Sequence, residues 1–471
     1  MGLTLAEKIW AQHAVTELGD GTTLLYIDRI FLHERTGSIA LQGLESAGRT
    51  VREPEQVFCT MDHIVDTFPG RSDITIMPGG TDFIVSTRHA ARKAGIRLFD
   101  IGDPSQGIVH VVSPEQGIAL PGVTLVCPDS HTGTVGGVGA LAWGIGSTEA
   151  EHALATKTLA VIRPKQMRVT YRGALPFGVT AKDMILALIG RHTAAGGVGY
   201  VVEFAGEAVR GLEIEARLTL CNMTVEFGAW SGIVAPDEKT FEYLRGRPFA
   251  PAGGDWEKAV AHWRSLATDE DAVFDQEIQL DAAQIAPQVT WGTSPQHAIP
   301  VDGLIADPAA EPDRNRREAM ERALAYMGLE PGRPLAGTPI DAAFIGSCTN
   351  SRLSDLRAAA DLLRGRQVAS GVRAICVPGS SRVKAAAEAE GLDRVFVDAG
   401  FEWRESGCSM CFFAGGEHFG RDERVVTSTN RNFENRQGPG TRSHLASPIT
   451  VAASAIAGRI ADVREFHERP G

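Results

Sequence analysis

The sequence predicts an α/β protein organised around parallel β-sheets. The last third of the chain alternates short apolar runs with helical patterns, the signature of βαβ units on a parallel sheet. Cys348, a chemically loaded residue, falls just past the carboxyl end of one of those runs, where open α/β sheets place ligands. The composition is that of a soluble globular protein, with 43% apolar and 22% charged residues. The length of 471 residues allows about two to four domains.

The elements follow in order. Thr4 and Glu7 form a capping-box pattern that starts a helix. Residues 123–127 read as a buried strand running into Pro128-Asp129-Ser130-His131 and a glycine-rich stretch, 133–146. A capped helix is expected over 180–189. Residues 250–280 are polar, with Trp256, Trp263 and the acidic run 269–271, and read as an insertion or a domain edge. Residues 308–317 read as an exposed connection. Then come a strand over 342–345, a helix over 351–364, a strand over 373–377, a helix over 381–390 ended by Gly391, and a strand over 394–397. The tail 465–471 is expected to be loose. No internal repeat or low-complexity tract is present.

Composition also narrows the function. A formal net charge of −12 disfavours general nucleic-acid binding. No run of about 18 apolar residues marks a membrane span, and the first residues carry no secretory leader. Seven cysteines, an odd number in a long chain, fit a reducing cytosol better than a disulfide framework, so a cytoplasmic location is expected.

Three cysteines carry the chemistry. Cys348 lies in Gly346-Ser347-Cys348-Thr349-Asn350-Ser351, and Cys408 and Cys411 lie in Gly407-Cys408-Ser409-Met410-Cys411. Iron–sulfur clusters normally take four protein thiolates. A three-thiolate [4Fe–4S] site would leave one iron open to bind substrate as a Lewis acid. On spacing alone, a structural zinc site or three separate buried thiols stand beside that reading. Zinc wants four closed ligands, and only His418 offers itself as a weak fourth. Cys59, Cys127, Cys221 and Cys376 lie in apolar surroundings and read as inert.

Histidines accompany carboxylates at Asp62-His63 and at Asp129-Ser130-His131, while His110 follows Gly107-Ile108-Val109 and Glu226 follows Cys221-Asn222-Met223 on an expected helix. A carboxylate beside an imidazole fixes its tautomer and raises its basicity. Dehydration chemistry needs such a pair, because hydroxide leaves only when protonated. Each such histidine alone is as well explained as a satisfied structural residue. From Arg424 to Leu445, four arginines (424, 431, 436, 442) meet one acid, Glu434. That basic island suits a di- or tricarboxylate substrate, or else a solvated face laced with ion pairs. The glycines at 133–146 and 196–199 lack a dinucleotide or Walker pattern and read as turns and close backbone packing.

These motifs together resemble the aconitase superfamily, most closely its isopropylmalate isomerase large-subunit branch. The resemblance runs from about residue 3 to about 460 and rests on Leu25-Tyr26-Ile27-Asp28-Arg29, Thr60-Met61-Asp62-His63, Gly107-Ile108-Val109-His110, Pro114-Glu115-Gln116-Gly117, Asp129-Ser130-His131-Thr132, Cys221-Asn222-Met223, Phe344 to Ser351 and Asn430-Arg431-Asn432-Phe433. Trp291-Gly292-Thr293 and Ala325-Tyr326-Met327-Gly328-Leu329 look specific to the isopropylmalate branch.

The resemblance implies three α/β/α domains around a central cluster cleft, over 1–163, 164–283 and 284–471, the last carrying the cluster cysteines, without the superfamily's swivel domain. It implies a [4Fe–4S] cluster with one labile iron on Cys348, Cys408 and Cys411. It implies that Asp62 and His63 protonate the departing hydroxyl, with His110–Asp129 and His131–Glu226 as further pairs. Ser130, Asn222, Asn430, Arg431 and Arg436 would contact substrate or order the pocket. A separate small subunit would supply the swivel domain, the proton-abstracting serine and further substrate contacts, so that this chain alone would not turn over. The implied reaction converts 2-isopropylmalate to 3-isopropylmalate by dehydration and rehydration, in leucine biosynthesis. The alternatives are a related hydro-lyase acting on another 2-alkylmalate or a homoaconitate-type diacid and, from a different class, an iron-sensing RNA-binding protein. Ile39, Asp66, Pro128 and Asn435 depart from the residues common in relatives, and none of them removes an expected ligand or catalytic pair.

Overall fold

A computed structural model describes residues 2–413 and 416–466 of the chain. Its frame is three parallel sheets. The first has the strand order Arg97–Phe99, Val57–Thr60, Arg29–His33, Thr124–Cys127, Leu141–Gly144. The second runs Ser231–Val234, Tyr200–Ala205, Lys165–Arg172, Gln276–Asp281. The third runs Phe401–Trp403, Arg373–Cys376, Ala342–Ile345, Arg424–Thr427, Arg442–Leu445. Every neighbouring pair in these sheets is parallel. The central strands of the first and third sheets, such as Thr124–Cys127 and Ala342–Ile345, are buried along their whole length. This is why they read as continuous apolar runs and not as alternations.

Local signals hold at the helix ends. Helix Leu5–His13 starts on the Thr4–Glu7 capping box, with the Glu7 amide donating to Thr4 Oγ1 at 3.2 Å and the Thr4 amide to Glu7 Oε2 at 3.0 Å. Helix Ala181–His192 starts at Thr180, whose amide donates to Asp183 Oδ2 at 2.8 Å. The glycine-rich stretch is a site of close backbone approach, since a Cβ on Gly136 would fall 1.8 Å from the Gly232 carbonyl oxygen. Residues 250–280 are integral to the body. Helix Gly254–Ser265 buries Trp256 and Trp263, and strand Gln276–Asp281 completes one edge of the second sheet.

One expected element is corrected. Residues 394–397 are part of helix Leu392–Ala399, and the strand of the third sheet follows at Phe401–Trp403. Leu392, Phe396 and Ala399 share one buried helical face, and Gly400, at φ +101°, ends the helix. The β-branched residues of Arg-Val-Phe-Val suggested a strand, but the wider spacing is helical. Glu226 likewise sits on a short 3-10 turn, Met223–Phe227, after helix Ile214–Asn222 has ended. Of the tail, residues 467–471 lie outside the described residues.

Candidate active site

The carboxyl edges of the first and third sheets face one cavity. The first sheet delivers His33 at the end of its strand, Asp62 and His63 just past Thr60, and Asp129, Ser130 and His131 just past Cys127. The third sheet delivers Cys348 after Ile345, Cys408 and Cys411 after Trp403, and Asn430, Arg431 and Arg436 after Thr427. The second sheet's helix Ile214–Asn222 and the turn after it bring in Asn222 and Glu226. The cavity has a volume of about 290 Å³ and is lined by these cysteines together with His63, Asp129, Ser130, His131, Asn430, Arg431 and Arg436. Six strand ends and one helix end, many of them distant in sequence, thus converge on this site.

The histidine–carboxylate pairs form one connected network. Asp62 Oδ1 is 2.5 Å from His63 Nδ1. His63 Nε2 is 3.1 Å from Asp129 Oδ2, and His110 Nε2 is 3.1 Å from Asp129 Oδ1. The backbone amide of His131 donates to Asp129 Oδ1 at 2.7 Å. His131 Nε2 lies 3.0 Å from Glu226 Oε1, which also accepts from Arg431 Nε at 2.5 Å. Arg431 Nη1 reaches Ser130 Oγ at 3.1 Å. The resemblance implied three separate pairs; in the fold, Asp129 joins two of them.

Charge in this network is sharply divided. Burial by itself would strip the proton from His63, but Asp62, Cys408 and Asp129 raise its pKa well above the ordinary imidazole value. Burial pushes Asp129 up, yet His110 and His63 hold it well below the usual carboxylate range. Burial lowers His131 against the opposition of Glu226. His33, stacked on His63 at 4.1 Å, is pulled down to about 4 by burial and by the charge of His63. One imidazole is thus held protonated against a neutral one, the division of labour that acid–base chemistry needs.

The cysteine loops are strained where they present sulfur. Ser347, directly before Cys348, has φ +82°, and Ser409, directly after Cys408, has φ +47°. Non-glycine residues hold such conformations only when the surroundings impose them, and they concentrate at functional sites. Here Ser351 Oγ donates to the Ser347 carbonyl at 2.7 Å, while Ser409 Oγ donates to Glu417 at 3.0 Å. Donors surround the sulfurs. Asn222 Nδ2 is 3.2 Å and Asn430 Nδ2 3.5 Å from Cys348 Sγ, Ser347 Oγ is 3.2 Å from Cys411 Sγ, and Arg436 Nη2 is 3.8 Å from it. Burial pushes the Cys348 thiol up to about 12 and Cys408 well above its ordinary value. Buried thiols that are hard to ionise yet ringed by donors suit a metal centre whose cations ionise them on binding. The donor set therefore fits an iron–sulfur cluster. His418 is not gathered into the site, because its Nδ1 lies 2.9 Å from the Phe419 carbonyl. Cys59, Cys127, Cys221 and Cys376 are buried, and burial raises each thiol.

Only two of the four arginines reach the cavity. Arg424 turns to His444 and the Met327 carbonyl, and Arg442 to Asp422 and the Tyr326 carbonyl. Two segments that the resemblance singled out brace the loop. Tyr326 Oη accepts from the Asn435 amide at 2.9 Å, and Asn432 Nδ2 donates to the Gly292 carbonyl at 2.6 Å. Asn435 has φ +65°, a conformation glycine adopts most easily and asparagine tolerates, which accounts for that departure.

Sequence reasoning missed His33, Arg35, Thr36, Ile108 and Phe412 in the lining. His33-Glu34 is an adjacent histidine and carboxylate, the same signal that singled out Asp62-His63, so these two were findable. Glu34 lies beneath the site, accepting from the backbone amides of Asp62 at 3.0 Å and Ile64 at 2.6 Å, and burial lifts its carboxyl to about 7. Phe412 carries no signal beyond standing next to Cys411. Its ring packs between the guanidinium groups of Arg35 at 4.9 Å and Arg436 at 4.8 Å.

Comparison with known proteins gives three matches. A family model described as the aconitase family (aconitate hydratase) matches residues 7–458. The chain is 57% identical over 463 residues to 3-isopropylmalate dehydratase large subunit 1 of Bradyrhizobium diazoefficiens, covering 98% of this chain and 97% of that protein. Among solved structures, the holo form of aconitase X from Thermococcus kodakaraensis aligns with a TM-score of 0.47 and 14% identity, over 95% of this chain and 90% of that one.

Proposed function

The chain belongs to the aconitase family, and from that membership we propose that it is the large subunit of a 3-isopropylmalate dehydratase, a hydro-lyase of leucine biosynthesis. One observation carries the reading. Three cysteines, a protonated histidine held by two carboxylates, and two arginines share a cavity in a chain that is 57% identical, over nearly its whole length, to a protein of that name. The substrate is 2-isopropylmalate and the product 3-isopropylmalate, by loss and return of water.

An iron–sulfur cluster is typical of the family. Its finer form here is a [4Fe–4S] cluster with one labile iron, held by Cys348, Cys408 and Cys411. When bound, it supplies a Lewis acid that polarises the substrate's hydroxyl and carboxylate. The chain's own residues do the rest. His63, kept protonated by Asp62 and Asp129, gives its proton to the departing hydroxyl and takes one back from water on rehydration. Arg431 and Arg436 offset the charge of the diacid, and Ser130 and Asn430 orient it. Asp129 ties His110 into the same network, and Glu226 aims both His131 and Arg431.

The relative is a large subunit by name, so a small subunit partners this chain. That partner supplies the swivel domain, the serine that abstracts the proton α to a carboxylate, and further substrate contacts. The domain boundaries at 163/164 and 283/284 are supported by the confinement of each parallel sheet's strands to one of the three spans. No helix among the described residues is long and apolar enough to cross a membrane, and the cytoplasm is the compartment we assign.

The test is anaerobic reconstitution of the chain with iron, sulfide and the small subunit, followed by a panel of 2-alkylmalates and homologous diacids. Turnover of 2-isopropylmalate by the pair, and none by this chain alone, is the expected result. Turnover of a different diacid with none of isopropylmalate would sink the substrate assignment and leave the hydro-lyase class standing.

A further inference from the structure

Five basic side chains are the most deeply buried in the chain: Lys157, Lys182, Arg217, Arg352 and Arg404. A buried cation is tolerated when a carboxylate neutralises it. Three have one. Arg217 is 2.6 Å from Asp237, Arg404 is 2.7 Å from Glu417, and Lys157 is 3.9 Å from Glu53. The other two do not: among the described residues, no carboxylate lies within 4.0 Å of the Lys182 ammonium or the Arg352 guanidinium. Lys182 Nζ donates only to the carbonyls of Ser428 at 2.9 Å and Thr429 at 2.5 Å. Arg352 donates to the carbonyls of Thr349 at 3.0 Å and His110 at 3.4 Å, and its Nε has no partner.

The acids close by in sequence act on the two cations only through space, with their oxygens bonded to other groups. Asp183 accepts from the amides of Gln288 at 2.7 Å and Thr180 at 2.8 Å. Asp355 accepts from Asn350 Nδ2 at 3.0 Å and from the backbone amide of Arg352 at 3.1 Å. The placement of the two cations is shared. Ser428 and Thr429 immediately precede Asn430 and Arg431, Thr349 immediately follows Cys348, and His110 belongs to the acid–base network. Each cation thus grips, from behind, backbone that presents a group to the cavity. Burial pulls Lys182 down to about 7, opposed by the charges of Asp355, Cys348, Cys411 and Asp183.

We propose that Lys182 and Arg352 are positioning residues that serve as the buried counter-charges of the anionic centre on Cys348, Cys408 and Cys411, a role that rests on the cluster reading above. A cation beneath such a centre favours its more negative, reduced form and so raises its reduction potential. It also opposes release of the centre, because the empty site leaves the two cations with only Asp355 and Asp183 acting on them through space.

The experiment uses the full chain, reconstituted anaerobically with iron and sulfide, as wild type and as Lys182→Met, Lys182→Gln, Arg352→Met and Arg352→Gln. Lys157→Met, at a carboxylate-paired lysine outside the cavity lining, is the control. The readouts are the reduction potential followed by electron paramagnetic resonance and the half-life of the cluster absorbance under a chelator. The Met and Gln variants at either position are expected to lower the potential by the same amount and to shorten the half-life several-fold, with Lys157→Met unchanged. Gln keeps a donor for the carbonyls, so a Gln variant with the wild-type potential would overturn the charge role. Should one position not tolerate replacement, the other decides alone. Failure of the wild type to take up iron and sulfide would refute the underlying cluster reading. A loaded wild type whose variants match it in potential and half-life would refute this inference and leave that reading intact.

Discussion

His63 is held between two carboxylates, Asp62 at 2.5 Å on one nitrogen and Asp129 at 3.1 Å on the other. Replacing Asp62 with Asn puts an amide donor against Nδ1 or leaves only a neutral acceptor there, and in both cases the imidazole loses the charge that keeps it protonated. Asp62→Asn is therefore expected to lower kcat by about 10²- to 10⁴-fold with little change in KM, measured on the reconstituted pair. An equal loss carried entirely by KM would contradict the acid role. Arg431 makes two contacts at once, Nε to Glu226 and Nη1 to Ser130. A lysine cannot reproduce that fork, so Arg431→Lys is expected to raise KM about tenfold, a loss of about 1.4 kcal/mol in substrate binding. At this scale much of the site was legible. Asp62 and His63 are chain neighbours, and Asp129 and His131 stand two apart, so local sequence announces them. The link from His63 to Asp129 was not legible, because it depends on which strands lie side by side. Lys182 and Arg352 gave no signal either, since a buried cation reads in sequence like any surface one.

The elements act by placing loops. The strands ending at Thr60, Cys127, Ile345 and Thr427 all release their functional residues within a few positions of the carboxyl end. The alternation of the last third made that legible around Cys348, while the error at 394–397 shows where four residues are too few to separate a strand from a helical face. Helix Val109–Glu115 carries His110 at one end and Glu115 at the other, and Glu115 Oε1 accepts from Ser380 Oγ of the third sheet's following turn at 3.1 Å. Burial lifts the Glu115 carboxyl from 4.5 to about 7. The folded state thus favours its protonated form. That contribution is complete below pH 4.5 and disappears as the pH rises through about 7, a cost of up to about 3 kcal/mol at higher pH. Glu115→Gln is neutral throughout and should melt above the wild type at pH 8, with the gap closing by pH 4.5. A gap that does not change with pH in calorimetry would show that Glu115 ionises freely in the fold.

The whole molecule joins three sheets, and the join between the first and third includes a set of backbone bonds beside the side-chain ones. The Ile108 amide donates to the Gly379 carbonyl at 2.8 Å, the Ser381 amide to Gln106 at 2.7 Å, and the Glu405 amide to Thr67 at 2.8 Å. Gly107 sits in this join, where a Cβ would fall 2.5 Å from Ser380 Cα. Gly107→Ala must push the two layers apart. It is expected to cut kcat/KM at least about tenfold, the effect of about 1.4 kcal/mol of misplaced transition-state contact, while far-ultraviolet circular dichroism is unchanged. Wild-type turnover in that variant would show that the join tolerates the shift. No feature of the sequence foretold these backbone bonds, because their partners are more than two hundred residues apart and bond through atoms every residue has. Two more bonds there have their own consequence. The Cys408 amide donates to the Asp62 carbonyl at 2.8 Å and Thr67 Oγ1 to Ser409 Oγ at 3.0 Å, so the loop of the two paired cysteines and the loop of Asp62 and His63 are stitched together. If these cysteines hold the proposed cluster, its loss would free Cys408 and with it the Asp62 carbonyl, so the aim of the proposed acid would go with the metal.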